Sequence, residues 1–255
     1  MPLQYARRLT GRRRTALADQ QLGFGLAFVA GSINAGGFLA IQQYTSHITG
    51  IVSAMADNLV LGTYGLVLTG GIGLFSFLAG AVCSTVMVNL ARQRELNAEY
   101  ALPLVLEALL LLVFGILGGW LVDERGLLFQ VRVPVMVMLL CFIMGLQNAV
   151  ITKLSGAVIR TTHVTGVVTD IGIELGRLLV RSPQFNKKHL DMLTRLVLAF
   201  FIGGVTGALG FKQVGYLSTV PLALVLIGLA GVPAIDDFLV FVRNWYEKVR
   251  GKGKQ

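Results

Sequence analysis

A histidine, a threonine and a glycine recur with the same spacing at two places in the chain. The first copy places His47 and Thr49 ahead of a glycine, and the second places His163 and Thr165 ahead of a glycine. Hydroxyl side chains before a helical run lie where the free backbone N–H groups of a helix start need acceptors. Those amides and the positive end of the helix dipole can hold an anionic or polar group. We therefore predict two short helices that begin at these motifs and contribute to a substrate site.

The two motifs belong to a longer internal repeat. Residues 45–53 align without gaps with residues 161–169, and the stretch around Asn34 matches the stretch around Asn148. Further along, residues 77–82 resemble residues 201–206. We expect Asn34 and Asn148 to line the same cavity as the motifs, although hydrogen bonding between helices would explain two buried amides equally well. Likewise, the hydroxyls of a single motif copy would serve as helix caps without any ligand.

Acidic residues follow the second motif at helical spacing. Asp170 and Glu174 share a helix face with His163, and Arg177 lies one turn beyond. Glu174 and Arg177 are three residues apart and can form a structural ion pair. Asp170 has no evident partner and is the better candidate for a proton or cation site. The predicted substrate-binding residues are Asn34, His47, Thr49, Asn148, His163 and Thr165, and the predicted proton- or ion-coupling residues are Asp170, Glu174 and Asp57.

The composition requires a membrane as the surroundings of these motifs. Of the 255 residues, 55% are hydrophobic and 14% are charged, compared with about 25% charged in soluble domains. A water-soluble enzyme is thereby excluded. Because a membrane helix needs about 20 apolar residues, the apolar runs predict six spans, at about 22–43, 68–90, 101–122, 132–153, 194–211 and 214–234. Glu107 interrupts the third span and is interpreted as lying near the cytoplasmic interface.

Residues 45–62 and 161–178 remain between these spans. Each carries acids that would cost about 2.5–3.5 kcal/mol apiece at the bilayer centre, so we expect re-entrant or broken helices there. Six crossings give three per half, which makes the second half enter the membrane the opposite way round. The predicted fold is therefore an all-α polytopic membrane protein with two motif helices and an inverted 3+3 internal repeat. If both motif helices crossed fully, the repeat would be parallel.

The basic residues set the predicted orientation. With six crossings, the Lys and Arg residues fall mostly on one side, with Arg125, Arg132 and Lys212 on the other, and the positive-inside rule makes the richer side cytoplasmic. We expect a cytoplasmic basic N-terminus over 1–21, a first membrane repeat over 22–126, a second over 127–235 and a cytoplasmic basic tail over 236–255. The expected location is the bacterial inner membrane, with both termini in the cytoplasm.

The doubled motif, with Thr161-Thr162-His163-Val164-Thr165-Gly166 and the following Thr169-Asp170, resembles the YoaK-like family of bacterial inner-membrane proteins. The resemblance covers about residues 20–235. It implies a multi-spanning membrane protein of about this size, from a family whose function is unknown.

These features favour a secondary transporter of a small polar molecule or ion. Inverted repeats with broken helices at the midplane are typical of such proteins. The alternative is a membrane-embedded enzyme that acts on a lipid-like substrate with His163 and Asp170 as an acid–base pair; a non-catalytic scaffold or sensor is a third class. No nucleotide-binding loop or metal motif is present in the sequence, so we expect no cofactor, no metal and no enzymatic activity. The expected partners are the lipid bilayer and the substrate, not nucleic acid, and a homo-oligomer is left open.

Overall fold

The structure, a computed structural model, describes residues 15–94, 96, 99–120, 127–156, 159–231 and 235. All regular secondary structure in these ranges is helical. In chain order the helices are α1 (Ala16–Ile41), α2 (Ile48–Val60), α3 (Tyr64–Gln93), α4 (Ala101–Trp120), α5 (Leu127–Leu154), α6 (Val164–Leu179), α7 (Lys187–Val214) and α8 (219–231), with a 3-10 turn at Gly215–Ser218 between the last two. Residues 1–14 of the predicted N-terminal region and the predicted tail over 236–255 lie outside the described residues.

Five stretches are long and apolar enough to cross a membrane: Leu17–Ile41, Tyr64–Gln93, Ala101–Trp120, Val133–Leu154 and Lys187–Gly231. The last has 45 residues, about twice what one crossing needs. It is broken at the 3-10 turn, where a Cβ on Gly210 would lie only 3.2 Å from the Cβ of Ser218. The chain folds back there, so α7 and α8 form a hairpin. The prediction of an all-α polytopic membrane protein is confirmed.

Four helices, α1, α3, α5 and α7, begin earlier than the apolar runs predict, and side-chain caps account for two of these starts. Helix α1 starts at Ala16 because the Thr15 hydroxyl accepts a hydrogen bond from the Ala18 amide at 3.2 Å and caps the helix. Helix α7 starts at Lys187, where the Asn186 side chain caps it by accepting from the His189 amide at 3.1 Å. Uncharged intervals mark only the apolar part of a helix. Capping residues determine where the helix begins.

The four central helices form two parallel pairs. Along α1 and α7, Phe28 lies beside Gly203 and Gly36 lies beside Phe211, so both helices run the same way. Along α3 and α5, Gly73 contacts Cys141. Farther along this second pair, the Lys153 ammonium donates to Asn89 at 2.8 Å. Helices α3 and α5 therefore also run the same way.

The two pairs run in opposite senses. Gly37 on α1 lies against Leu140 on α5, whereas earlier on α1 the Leu26 carbonyl accepts from the Gln147 side chain, later on α5, at 3.3 Å. The order of contacts is reversed, so α1 and α5 are antiparallel. We call the end where α1 finishes and α3 begins the first end of the bundle. The second end is where α5 finishes and α7 begins.

Close glycine contacts hold each parallel pair together. A Cβ on Gly145 would overlap the carbonyl oxygen of Phe77, and a Cβ on Gly80 would overlap that of Phe142. In the other pair, a Cβ on Gly203 would overlap the carbonyl oxygen of Phe28. Backbones approach this closely only where a helix presents a small residue, the usual means of tight packing in membranes.

The same contacts correct the sequence alignment by one residue. Gly31 and Gly145 are aligned; Gly31 meets the Phe200 carbonyl, whereas Gly145 meets the Phe77 carbonyl. Phe77 therefore corresponds to Phe200, not to Phe201 as the alignment has it. The chain has two phenylalanines and two glycines in succession over 200–204, so either register fits the sequence. Only the helix contact distinguishes between them.

Helices α2 and α6 are short. They have 13 and 16 residues, which at about 1.5 Å per residue is about 20–24 Å, less than the ~30 Å hydrocarbon core. Helix α2 connects α1 to α3 and so lies at the first end, whereas α6 connects α5 to α7 and lies at the second end. The two motif helices therefore occupy opposite ends of the bundle.

Candidate functional site

An asparagine in the preceding helix anchors the start of each motif. The Ser46 hydroxyl donates to the Asn34 side-chain oxygen at 2.9 Å, and the Thr162 hydroxyl donates to the Asn148 side-chain oxygen at 2.5 Å. Asn34 lies seven residues before the end of α1, about 10 Å along the helix axis. The chain therefore turns back into the bundle before α2 begins. The contact between Thr162 and Asn148 shows that the chain also turns back before α6 begins.

A second matched pair lies one residue earlier. Thr45 and Thr161 are each 1% exposed, and within the part of the chain that the structure describes neither hydroxyl has a hydrogen-bond partner. Buried polar groups are normally satisfied. Two unsatisfied hydroxyls at equivalent positions are therefore a second feature that the two turns share.

The expected role of the motif hydroxyls as helix caps is wrong. His47 and His163 occupy the N-cap positions, and neither side chain makes a capping hydrogen bond. The hydroxyls of Ser46 and Thr162 donate to the asparagines instead. The first-turn amides of α2 and α6 therefore have no side-chain acceptor within the described ranges.

The first motif opens onto a cleft of about 320 Å³ at the first end. His47 lines it, and its ring lies over Gly50, where a Cβ would overlap the ring carbon Cδ2. The remaining polar lining comes from Gln42, Gln43, Asn58 and Thr69. The volume suits a small molecule. Of the predicted substrate-binding residues, only His47 lines this cleft.

The second motif has the same exposure but no cleft that joins it to the first. His163 and Thr165 are exposed, as His47 and Thr49 are, and the exposed Asp170 lies two turns beyond His163 on the same face. No hydrogen bond joins His163 to Asp170 within the described residues, and neither lines the cleft at the first motif. Gly166 has open space where Gly50 has the His47 ring. The two motifs therefore do not line a common cavity in this conformation.

Two of the predicted coupling acids differ sharply in their surroundings. Glu174 is 3% exposed and forms the expected ion pair, with Oε1 2.8 Å from Arg177 Nη1. Its other oxygen accepts from the Asn186 backbone amide at 3.0 Å, which joins α6 to the start of α7. The Asn186 amide, and then Arg177, lower the pKa of Glu174. Asp57, in contrast, is exposed on α2.

Sequence reasoning did not assign Glu107 to the site. This residue is fully buried within α4, and neither carboxylate oxygen has a hydrogen-bond partner among the described residues. The expectation that Glu107 lies near the cytoplasmic interface stays a prediction, but its side chain faces the interior of the bundle and does not meet water. The available signal was a single acid inside an otherwise apolar 20-residue helix, since ionisable groups within membrane helices usually have a function.

The comparisons with known proteins agree with the architecture. The fold defines a multi-pass, all-α membrane protein with two short interrupting helices. Residues 22–232 match the profile of a family described as "Protein of unknown function (DUF1275)", and the chain belongs to this family. It is 25% identical, over 187 residues, to the UPF0700 transmembrane protein YoaK of Bacillus subtilis (strain 168), an alignment that covers 72% of this chain and 80% of YoaK. No solved structure matches the chain.

Proposed function

We propose that this protein is a secondary transporter of a small polar molecule or ion, built as an inverted 3+3 repeat with two re-entrant motif helices. One observation carries the proposal: the same asparagine–hydroxyl anchor occurs twice, at Asn34 and Asn148, at opposite ends of a bundle whose two parallel helix pairs run in opposite senses. Two half-length helices that start inside a bundle from opposite ends are the arrangement that alternating access uses.

The first-end cleft serves as one entrance in this proposal. The uncapped start of α2 and the His47 ring border it, so backbone amides and an imidazole meet a ligand that enters there. The corresponding elements at the second end are α6 and His163. A cleft of about 370 Å³ also lies at the second end, but α1 and α7 line it and the second motif does not. Because only the first motif borders a cleft among those described, we interpret this conformation as one in which the site at His47 is accessible and the site at His163 is not.

The charge distribution supports a cytoplasmic second end and, with it, cytoplasmic termini in a bacterial inner membrane. Among the described residues, Arg132 near the start of α5 and Lys212 near the end of α7 lie at the first end. The other helix-end and loop cations lie at the second: Arg92, Arg94, Lys153, Arg160, Arg177, Arg181, Lys187, Lys188 and Arg195. Short loops rich in Lys and Arg stay on the cytoplasmic side. The first-end cleft would then face outward.

A labelling experiment tests the inverted layout. Leu61→Cys and Val180→Cys are matched positions, since each follows a motif helix and both side chains are largely exposed. In a background with Cys83 and Cys141 replaced by alanine, a membrane-impermeant maleimide should label Leu61→Cys in intact cells. Val180→Cys should react only after the membrane is opened. Labelling of both from one side would reject the inverted repeat.

A ligand screen tests transport itself. The purified full chain is heated with a panel of amino acids, sugars, organic acids and nucleosides, because a compound that binds only the folded state raises the melting temperature. Each hit is then supplied in radiolabelled form to proteoliposomes. We expect His47→Ala and His163→Ala to lose uptake, whereas Leu68→Ala, on an exposed apolar surface of α3, should retain it. A panel with no compound that both binds and enters would contradict the proposal.

A further inference from the structure

One acid among the described membrane helices is neither paired with a cation nor exposed to water. Of the acids that the structure describes, Glu99 and Glu174 are buried but paired with arginines, and Asp57 and Asp170 are exposed. Glu107 alone combines complete burial with two unpartnered oxygens. An isolated carboxylate in an apolar interior is very costly, so this conformation accommodates the protonated acid.

No cation on the neighbouring helices lies close enough to pair with Glu107. The described ionisable side chains of the elements packed against α4 are Tyr64, Cys83 and Arg92 on α3, Cys141 and Lys153 on α5, and Tyr216 on the 3-10 turn. Arg92 is held by Glu99 at 3.2 Å, and Lys153 donates to Asn89 at 2.8 Å. Both cations lie toward the second end. Glu107 itself lies six residues inside α4, about 9 Å from its start.

Other unsatisfied polar atoms lie at about the depth of Glu107. Leu111 on α4 and Leu140 on α5 line one small cavity. Glu107 lies one turn from Leu111 along α4, toward the second end. Gln147 lies about two turns from Leu140 along α5, also toward the second end. The Gln147 side-chain oxygen and the Ser84 hydroxyl on α3 are both buried without a partner among the described residues. The interior around this level therefore has acceptors that no protein donor satisfies.

The small cavity extends from this level toward the first end. Its volume of about 20 Å³ is the size of one water molecule. Ser32, Ser218 and Thr219 line it together with apolar side chains. The cavity surface is nevertheless almost entirely apolar, because the Ser32 and Thr219 hydroxyls donate to the backbone carbonyls of Gly203 and Tyr216. An apolar space therefore separates Glu107 from the first end in this conformation.

We propose that Glu107 is the proton-coupling group of this protein. Its carboxylate takes a proton from water on one side, forming the neutral acid that the closed bundle accommodates. It releases the same proton to water on the other side after the bundle opens. This inference rests on the proposed transport function and assigns the coupling role to α4 rather than to the exposed acids of the motif helices.

The test uses the full chain in liposomes and N,N′-dicyclohexylcarbodiimide, an apolar reagent that adds to protonated carboxyl groups. We expect mass spectrometry to find the adduct on Glu107, increasing as the pH falls, and Glu107→Gln to lose it. Glu99→Gln, which removes the buried acid paired with Arg92, should leave the adduct unchanged. Infrared pH-difference spectra should show a protonated-carboxyl band that disappears at alkaline pH in the unmodified protein and is absent from Glu107→Gln.

The possible results separate this inference from the proposed function. An unreactive Glu107 with no titrating carboxyl band would overturn it, even if the ligand screen finds a transported compound. A reactive, titrating Glu107 supports the proton site even if no compound is transported, and transport is then the hypothesis that fails. Since Gln has nearly the size of Glu, a monodisperse Glu107→Gln protein with the melting temperature of the unmodified chain shows that lost labelling is not misfolding.

Discussion

The two motif helices share one design but have different surroundings. Helix α2 begins under the His47 ring beside an open cleft. Helix α6 begins at an exposed His163 and is tied to α7 by Glu174, which bonds both Arg177 and the Asn186 amide. The position that matches Glu174 in α2 is Asn58, which lines the cleft. Glu174 thus ties the C-terminal end of α6 to α7, whereas the matching end of α2 borders the cleft.

The difference indicates which parts of the repeat are structural. The asparagine anchors and the buried threonines are the same in both halves, so they define the turn that starts each helix. The Glu174–Arg177 ion pair belongs to the second motif helix, and the cleft at His47 belongs to the first. These features are therefore not part of the shared turn. Three sets of variants test this separation.

The largest expected effect is at the glycine crossings. Gly145→Ala and Gly203→Ala each place a methyl group against a backbone carbonyl that cannot move aside, and we expect each to lower the free energy of unfolding by about 1–3 kcal/mol, as overpacking does. Gly166→Ala is the matched control because nothing lies near its Cβ position; alanine there should be neutral or stabilise the helix by up to ~1 kcal/mol. Thermal unfolding in detergent measures all three. Equal stability of the crossing variants and the control would contradict the packing described.

The next effect is at the anchors. Asn34→Ala and Asn148→Ala remove the acceptors of Ser46 and Thr162. Because both hydroxyls are only part-buried, we expect each loss to cost about 1 kcal/mol, the lower end of the penalty for an unpaired buried hydroxyl. The loss should be greater for Asn148→Ala, since Asn148 is buried and Asn34 is half-buried. The melting temperatures of the two variants give the comparison. If only one variant is destabilised, the anchors are not equivalent.

The smallest effect is confined to acidic pH and to the second half. The pKa of Glu174 is lowered in the folded protein, first by the Asn186 amide. The charged carboxylate therefore contributes its full stabilisation above the ordinary glutamate pKa of 4.5. This stabilisation is lost as the pH falls from 4.5 through the lowered pKa of the folded protein. Melting temperatures of the unmodified protein and Glu174→Gln should therefore differ at neutral pH and converge in acid. Asn58→Gln, at the matching position of α2, should show no such pH dependence. Parallel curves at every pH would exclude the Glu174 network.

Much of the fold follows from the sequence. The apolar runs predict the membrane helices because a membrane segment must be continuously apolar, and the doubled His-x-Thr-Gly motif predicts two short helices, now seen as α2 and α6. The ion pair of Glu174 with Arg177 also follows from helical spacing alone. These are local properties, determined by residues a few positions apart.

The tertiary structure decided what depends on neighbouring helices. The sequence allows two registers for the glycines near residue 203, and only the contact with Phe28 selects one. The hydrogen bonds of Ser46 and Thr162 to asparagines in the preceding helices form only because the chain turns back into the bundle at these residues. Whether Glu107 meets water depends on the helices packed around α4. A sequence shows which residues share a helix face, but burial and pairing across helices exist only once those helices are assembled.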